Sequence, residues 1–357
     1  MKIFKPINSQ HIALYPLALI VIPSLIYSFW INHRFWIPAL SNELNPHGEI
    51  SLSGLFVVAA SITVILMQLI SLTIAEIALQ DNGSFKDKVL NSSIFRVFMS
   101  KGHLCADVFY FVAHKFLKKF PLLAAILTFG FLHLSNLNKI YFGDLYMSIA
   151  RHLFLNDSSK VFISLITVAC CALSDYSYYW RHRILHDNKL LWSMHEFHHS
   201  ATEMTVFSKD RILPAEGLLL DILLLPSFLL TSAVVTRSIE IGIYFPILIV
   251  VLHVFINEFS NMLSHSSLYF KYPRPFDLIL MNPCCHWLHH SNNPNHFSCN
   301  FGVAYSVWDR IHGTYLGESN VKNITGFGDA DSVYNKTNPI KSLFWIPLIQ
   351  VTRNFSK

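Results

Sequence analysis

Six mostly apolar stretches, at roughly 11–31, 53–80, 121–137, 161–180, 213–235 and 239–258, govern what this chain can fold into. Each is near the ~20 residues that carry a helix across ~30 Å of hydrocarbon. Backbone in lipid must satisfy its own hydrogen bonds, which such stretches do as helices. The rest of the composition agrees. Hydrophobic residues fill 52% of 357 positions and charged residues 14%, and the mean hydropathy is +0.40, beyond the range of an ordinary soluble domain. The fold expected is an all-α integral membrane bundle of about four to six spans. The first apolar run, Ile12 to Trp30, has no small-residue cleavage site after it and reads as a signal anchor.

Charge then orients the bundle. With the N-terminal residues in the cytoplasm, 22 of the 27 lysines and arginines fall in inner segments and 5 in outer ones, as the positive-inside rule requires. This makes the protein multi-pass and places both histidine-rich segments on the cytoplasmic side, in a bacterial inner membrane or an endoplasmic reticulum alike. The net charge of +5 is dispersed between apolar spans rather than clustered, which argues against nucleic acid as a partner. Six cysteines (Cys105, Cys170, Cys171, Cys284, Cys285 and Cys299) show no CxxC spacing, and reduced thiols are expected.

Three regions follow. Residues 1–150 are an N-terminal membrane region with spans at about 11–31, 53–80 and 121–137 and an interfacial amphipathic helix at about 105–120. Residues 151–318 hold the histidine-rich core. Residues 319–357 are a polar tail containing "SLFWIPLIQV", too short to span and read as a second interfacial segment.

The chemistry lies in the histidines. Residues three and four apart share a helix face, so His182 and His186 in HRILH can address one point, as can His195, His198 and His199 in HEFHH. HWLHH repeats the spacing with His286, His289 and His290, and NMLSH adds His265. Single histidines such as His11, His33, His47 and His152 are ordinary interfacial or packed residues. Nine neutral imidazoles buried together would leave polar nitrogens without partners unless metal or hydrogen bonds satisfied them. Nine are too many for one ion, whereas two ions with open positions use about eight to ten ligands between them. Imidazole alone leaves iron, copper, zinc and nickel open.

These motifs, in this order, resemble the fatty acid hydroxylase/sterol desaturase superfamily. DYSYYWRHRILH is similar to its Asp–aromatic–Trp-x-His-Arg lead-in, RILPAE to its Arg-x-His-Pro-x-Glu stretch, and NPCCHWLHHSNNP to its Pro-x-x-His-x-x-His-His segment. NFGVAYSVWDRIHGTYL is similar to its Asn-aromatic-Gly followed by Trp-Asp-Arg and Gly-Thr-aromatic. The likeness covers roughly 160–318 and does not reach the first 150 residues. Leu213, Cys299 and His312 depart from the usual residues at their positions, and Asn261 stands where some fatty acid hydroxylases have histidine.

The resemblance implies two irons held by the nine histidines and O₂ as co-substrate, although zinc can occupy such ligands. It also implies attack on an unactivated C–H bond of a fatty acyl, sterol or alkylglycerol lipid that enters laterally between spans, giving hydroxylation or, as the runner-up, desaturation. No haem, dinucleotide or iron–sulfur motif is present, so electrons would come from a separate cytochrome b5-like or ferredoxin-like protein. Asp175, Asp187, Glu196 and Asp309 are candidate acceptors for the ligands' second N–H, with Asn261 and His296 also near the ligand motifs. Asn292 and Asn300, with His296, are placed to hold the loop after the last cluster, while Trp180 and Arg310 pack or pair locally. Two rival classes stay open: a non-redox zinc-binding membrane protein, for which HEFHH offers Glu196 as base, and a lipid-binding protein with a degenerate site.

Overall fold

The computed structural model describes residues 83–99, 103–119 and 160–350, apart from 241, 270 and 348, together with parts of 69–78. The expected spans at 11–31 and 121–137, most of the one at 53–80, and the single histidines His11, His33, His47 and His152 lie outside the described residues. Among the described residues there are no strands, only the isolated bridges Leu280–Tyr305 and Ser291–Phe327. The chain divides into two compact units, Met1–Arg96 with Ser267–Tyr269, and Val97–Ser266 with Phe270–Lys357.

In the first unit, helix α1 (Phe85–Leu90) starts with a capping box in which Ser84 and Asp87 satisfy each other's backbone N–H. The buried Glu76 carboxylate accepts from the Ser93 N–H (2.8 Å), which begins α2 (Ser93–Met99), from the Ser93 hydroxyl, and from the Ser267 hydroxyl (2.7 Å).

The second unit is built on α3 (His103–Lys119), α4 (Lys160–Asp187), α5 (Lys189–His199), α6 (Pro214–Glu240) and α7 (Phe245–Ser264). Helix α4 packs most extensively on α6, and also on α5 and α7. Among the described residues two helices, α4 and α7, are long and apolar enough to cross a membrane, and only 28% and 22% of their most apolar windows are buried. Val161, Leu165 and Val168 on α4 and Phe245 and Val254 on α7 face outward, the arrangement of a lipid-facing helix rather than of a core helix.

Helix α4 runs past the expected span end at 180, carrying HRILH on unbroken helix to Asp187. Asn188, extended at φ −107° and ψ 118°, then turns the chain and caps α5, its Oδ1 accepting from the Leu190 and Leu191 N–H groups. HEFHH therefore folds back over HRILH. The stretches expected at 213–235 and 239–258 correspond to the helices at 214–240 and 245–264, separated at Gly242, whose φ of +71° suits glycine.

The expected interfacial helix at 105–120 coincides with α3, whose inner face buries Asp107 and Tyr110. The tail beyond 319 folds as well. Helices α10 (Val333–Lys336) and α11 (Pro339–Phe344) bring Tyr334, Leu343 and Ile346 into one cluster with Tyr110, Phe197 and Leu213. The remaining short helices are α8 (Pro283–His289), carrying HWLHH, and α9 (Val307–Ile311).

Candidate metal centre

Helices α4, α5 and α8, with the C-terminal end of α7, bring all nine expected histidines together in two groups. His182, His186, His195, His199 and His289 form one; His198, His265, His286 and His290 form the other. In each group the candidate ligand atoms lie within 4.8 Å of one another. The HxxHH spacing accounts for the division: neighbours in sequence at its end, His198 and His199 or His289 and His290, turn to different groups.

Four rings are anchored through Nδ1. His182 Nδ1 lies 2.6 Å from the Phe301 carbonyl, His195 Nδ1 2.8 Å from Glu216 Oε1, His265 Nδ1 2.9 Å from the Asn261 carbonyl, and His289 Nδ1 2.8 Å from the Cys299 carbonyl. The three carbonyls can only accept, so Nδ1 of His182, His265 and His289 carries the proton and each Nε2 lone pair is left to point inward; Glu216 as a carboxylate does the same for His195. Among the described residues three further buried nitrogens, His186 Nε2, His199 Nε2 and His289 Nε2, have no hydrogen-bond partner, nor do the Nδ1 atoms on the opposite side of the His198, His286 and His290 rings. Nε2 atoms also face one another at 3.1 Å in His182–His195 and His286–His290 and at 3.3 Å in His198–His265. So many inward-facing lone pairs are costly to bury by themselves and suit a cation. Burial holds the rings neutral: it keeps His289 down at about 4 and His265 at about 3, and His195, His198, His199, His286 and His290 well below the ordinary range, where neighbouring imidazoles add to the effect. Neutral imidazole is the form that binds metal.

The other expected residues divide. Asp175 does not orient a ligand: its Oδ2 accepts from Trp308 Nε1 at 2.6 Å, tying α4 to α9. Asp309 acts one step further out than expected. It accepts the Phe301 and Gly302 N–H groups, both at 2.8 Å, and so fixes the segment whose carbonyl receives His182. Gly302 is required there, since a Cβ would come within 2.4 Å of the Tyr305 carbonyl and 2.9 Å of Asp309 Oδ2. Asn261 serves His265 through its main chain. His296 is buried outside both groups, its carbonyl accepting from the Cys299 thiol at 2.9 Å. Asn300 bonds the main chain of Cys285 and Leu316 and holds that loop, as expected. Asp187 pairs with Arg183 on the surface, and Glu196 lines a cavity. The carboxylate not named as an orienting group is Glu216, although it closes the RILPAE motif.

Two cavities flank the histidines. One of about 610 Å³ opens on to His186, His199, His289 and His290, with Trp192 on its wall. The other, about 140 Å³ and lined by Lys209, Asp210 and Glu258, reaches His198, His265 and His286.

The fatty acid hydroxylase family profile matches residues 167–314, which include all nine histidines, Glu216 and Asp309. This part of the chain is therefore similar to the fatty acid hydroxylase family. Curated relatives share it: an alkylglycerol monooxygenase of Danio rerio is 28% identical over 46% of this chain and 32% of its own length. A Delta(7)-sterol 5(6)-desaturase of Gibberella zeae is 28% identical over 40% of this chain and 35% of its own. An ornithine lipid hydroxylase of Rhizobium tropici is 26% identical over 40% and 39%. The chain thus spans about a third of the length of the curated relatives it matches. No solved structure matches it.

Proposed function

We propose that this protein is a multi-pass membrane oxidoreductase of the fatty acid hydroxylase family that uses O₂ and two irons to hydroxylate a lipid, with the histidines on the cytoplasmic side. The observation that carries the reading is the division of nine neutral histidines, seven of them buried and His186 and His199 partly so, into a group of five and a group of four whose candidate ligand atoms converge. The five-histidine group would hold one ion and the four-histidine group the other; once bound, the pair supplies the oxidant that an unactivated C–H bond requires.

The chain's own residues do the rest. Glu216 and the carbonyls of Phe301, Cys299 and Asn261 fix ring tautomers. The cavity of about 610 Å³ has the size of a small-molecule site and would seat the reacting part of the lipid beside His199 and His290. Electrons would come from a separate cytochrome b5-like or ferredoxin-like donor. Lipid substrates are supported by the relatives, which are named for alkylglycerol, sterol and ornithine lipid. The sterol desaturase among them also supports desaturation as the second reading.

Metal analysis of detergent-purified protein tests the site: about two ions per chain are expected, with fewer in His199→Ala and in His290→Ala. One ion, unchanged by either substitution, contradicts it. Lipid mass spectrometry of cells carrying wild type or His199→Ala tests the reaction. A lipid gaining about 16 mass units in wild type supports hydroxylation; one losing about 2 means desaturation. No difference, despite bound iron and a working donor, counts against an enzyme.

A further inference from the structure

The five-histidine group is connected to the outside of the protein by aromatic rings. Phe301 lies 5.9 Å from His182, 5.3 Å from His186 and 5.8 Å from His289, centroid to centroid. Tyr179 follows at 6.0 Å from Phe301. His312 is then stacked between two tyrosines, 5.1 Å and 13° from Tyr179 and 5.9 Å and 19° from Tyr176. Half-buried indoles end the column: Trp308 at 4.8 Å from Tyr176, and Trp180 at 5.1 Å from His312 and 5.8 Å from Tyr179.

Tyr179 has no exposure, yet its hydroxyl is wired for proton transfer. It lies 3.1 Å from Thr314 Oγ1, and Thr314 donates its own proton to Asp309 Oδ1 at 2.7 Å, so the phenol is the donor in the first contact. Arg183 Nη1 donates to the phenol oxygen at 3.2 Å. Packing needs only the ring; the O–H, hydroxyl and carboxylate in series are what a phenol needs to lose an electron and a proton together.

We propose that Phe301, Tyr179, His312, Tyr176, Trp180 and Trp308 form a relay that carries an oxidising equivalent from the five-histidine group to the surface when no lipid consumes it. This rests on the oxygenase reading above. Tyr179 gives one electron across Phe301 to the oxidised centre. Its O–H bond breaks toward Thr314 while the Thr314 proton passes to Asp309, leaving a neutral tyrosyl radical and a protonated carboxyl. Trp180 or Trp308 refills Tyr179 with an electron, and Asp309 returns the proton along the same path. At the surface a soluble thiol restores the indole by giving an electron and releasing a proton; two oxidised thiols pair as a disulfide. The direction is outward because phenol and indole rings give up electrons to a strong oxidant but do not accept them from a biological donor.

The test uses iron-loaded protein in detergent, reduced without air, freed of reductant and exposed to O₂ in repeated cycles without lipid. O₂ uptake is followed and oxidised residues are mapped by mass spectrometry. Oxygen adducts are expected on Tyr176, Trp180 and Trp308 but not on Trp345, which at 64% exposure reports freely diffusing radicals. In Tyr179→Phe, and independently in Thr314→Val, both checked for wild-type iron content, the three marks should fall at least fivefold. Oxidation should move instead to the peptides bearing His182–His199 and His286–His290. O₂ uptake with absent marks, with marks unchanged in both variants, or with Trp345 marked equally overturns the relay alone. No O₂ uptake overturns the oxygenase reading and the relay with it.

Discussion

A histidine that binds metal through one nitrogen must dispose of the other, and His195 does so on Glu216, whose side chain is 2% exposed. Removing such an acceptor frees the ring to turn and lowers its basicity, which typically weakens metal affinity about 10–100-fold. Glu216→Ala is expected to show that loss in a chelator competition, and Glu216→Gln a smaller one because its amide oxygen can still accept. Unchanged affinity in both would remove Glu216 from the site. The nine imidazoles were legible in the sequence because three-and-four spacing is a local property of helices. Their acceptors were less so, since three are main-chain carbonyls with no side-chain signature. Asp175 shows the converse: a carboxylate seven residues before a ligand, on the same helix, that is spent on an indole instead.

Among the elements, α4 shows how an apolar helix can also carry the histidines. Its 28 residues make about 42 Å at the usual rise, so if it crosses ~30 Å of hydrocarbon one end would project with His182 and His186. A hydropathy reading stops the span near the charged pair Arg181 and Arg183, but helical hydrogen bonding is indifferent to that charge. Helix α5 is held by another means. Buried Arg211 donates to Asp107 of α3 (2.6 Å), to Ser200 at the end of α5 (2.8 Å) and to Asn335 after α10's start (3.0 Å). No local pattern announces a partner 104 positions away. Asp107→Ala strands the guanidinium in the interior and should destabilise the protein by about 3–5 kcal/mol, read as a lowered midpoint of unfolding in detergent. Asp107→Leu with Arg211→Met should recover most of that loss; a double variant no better than the single one would show that the pair's charge was not the issue.

At the scale of the molecule, the buried histidines link stability to acidity. Folded His289 and His265 sit at about 4 and 3, below the ~6.5 of an unfolded chain, so below 6.5 the unfolded state takes up protons that the fold refuses. Their contribution is whole above 6.5 and is lost as the pH falls toward 4 and 3. The metal-free protein's midpoint should fall from pH 7 to pH 5; a flat profile would mean that the rings are not held neutral. The docked tail was not legible in the sequence, because "SLFWIPLIQV" has the same oily pattern whether it meets lipid or Phe197. That docking sets an order of assembly. His182 leaves the ribosome 164 positions ahead of Ile346, on the order of ten seconds or more at ordinary rates, and until Tyr334, Leu343 and Ile346 arrive the cluster that holds Phe197 of α5 has only Tyr110 and Leu213 in place. Metal offered to the growing chain meets loose histidines, and selective loading belongs to the finished protein.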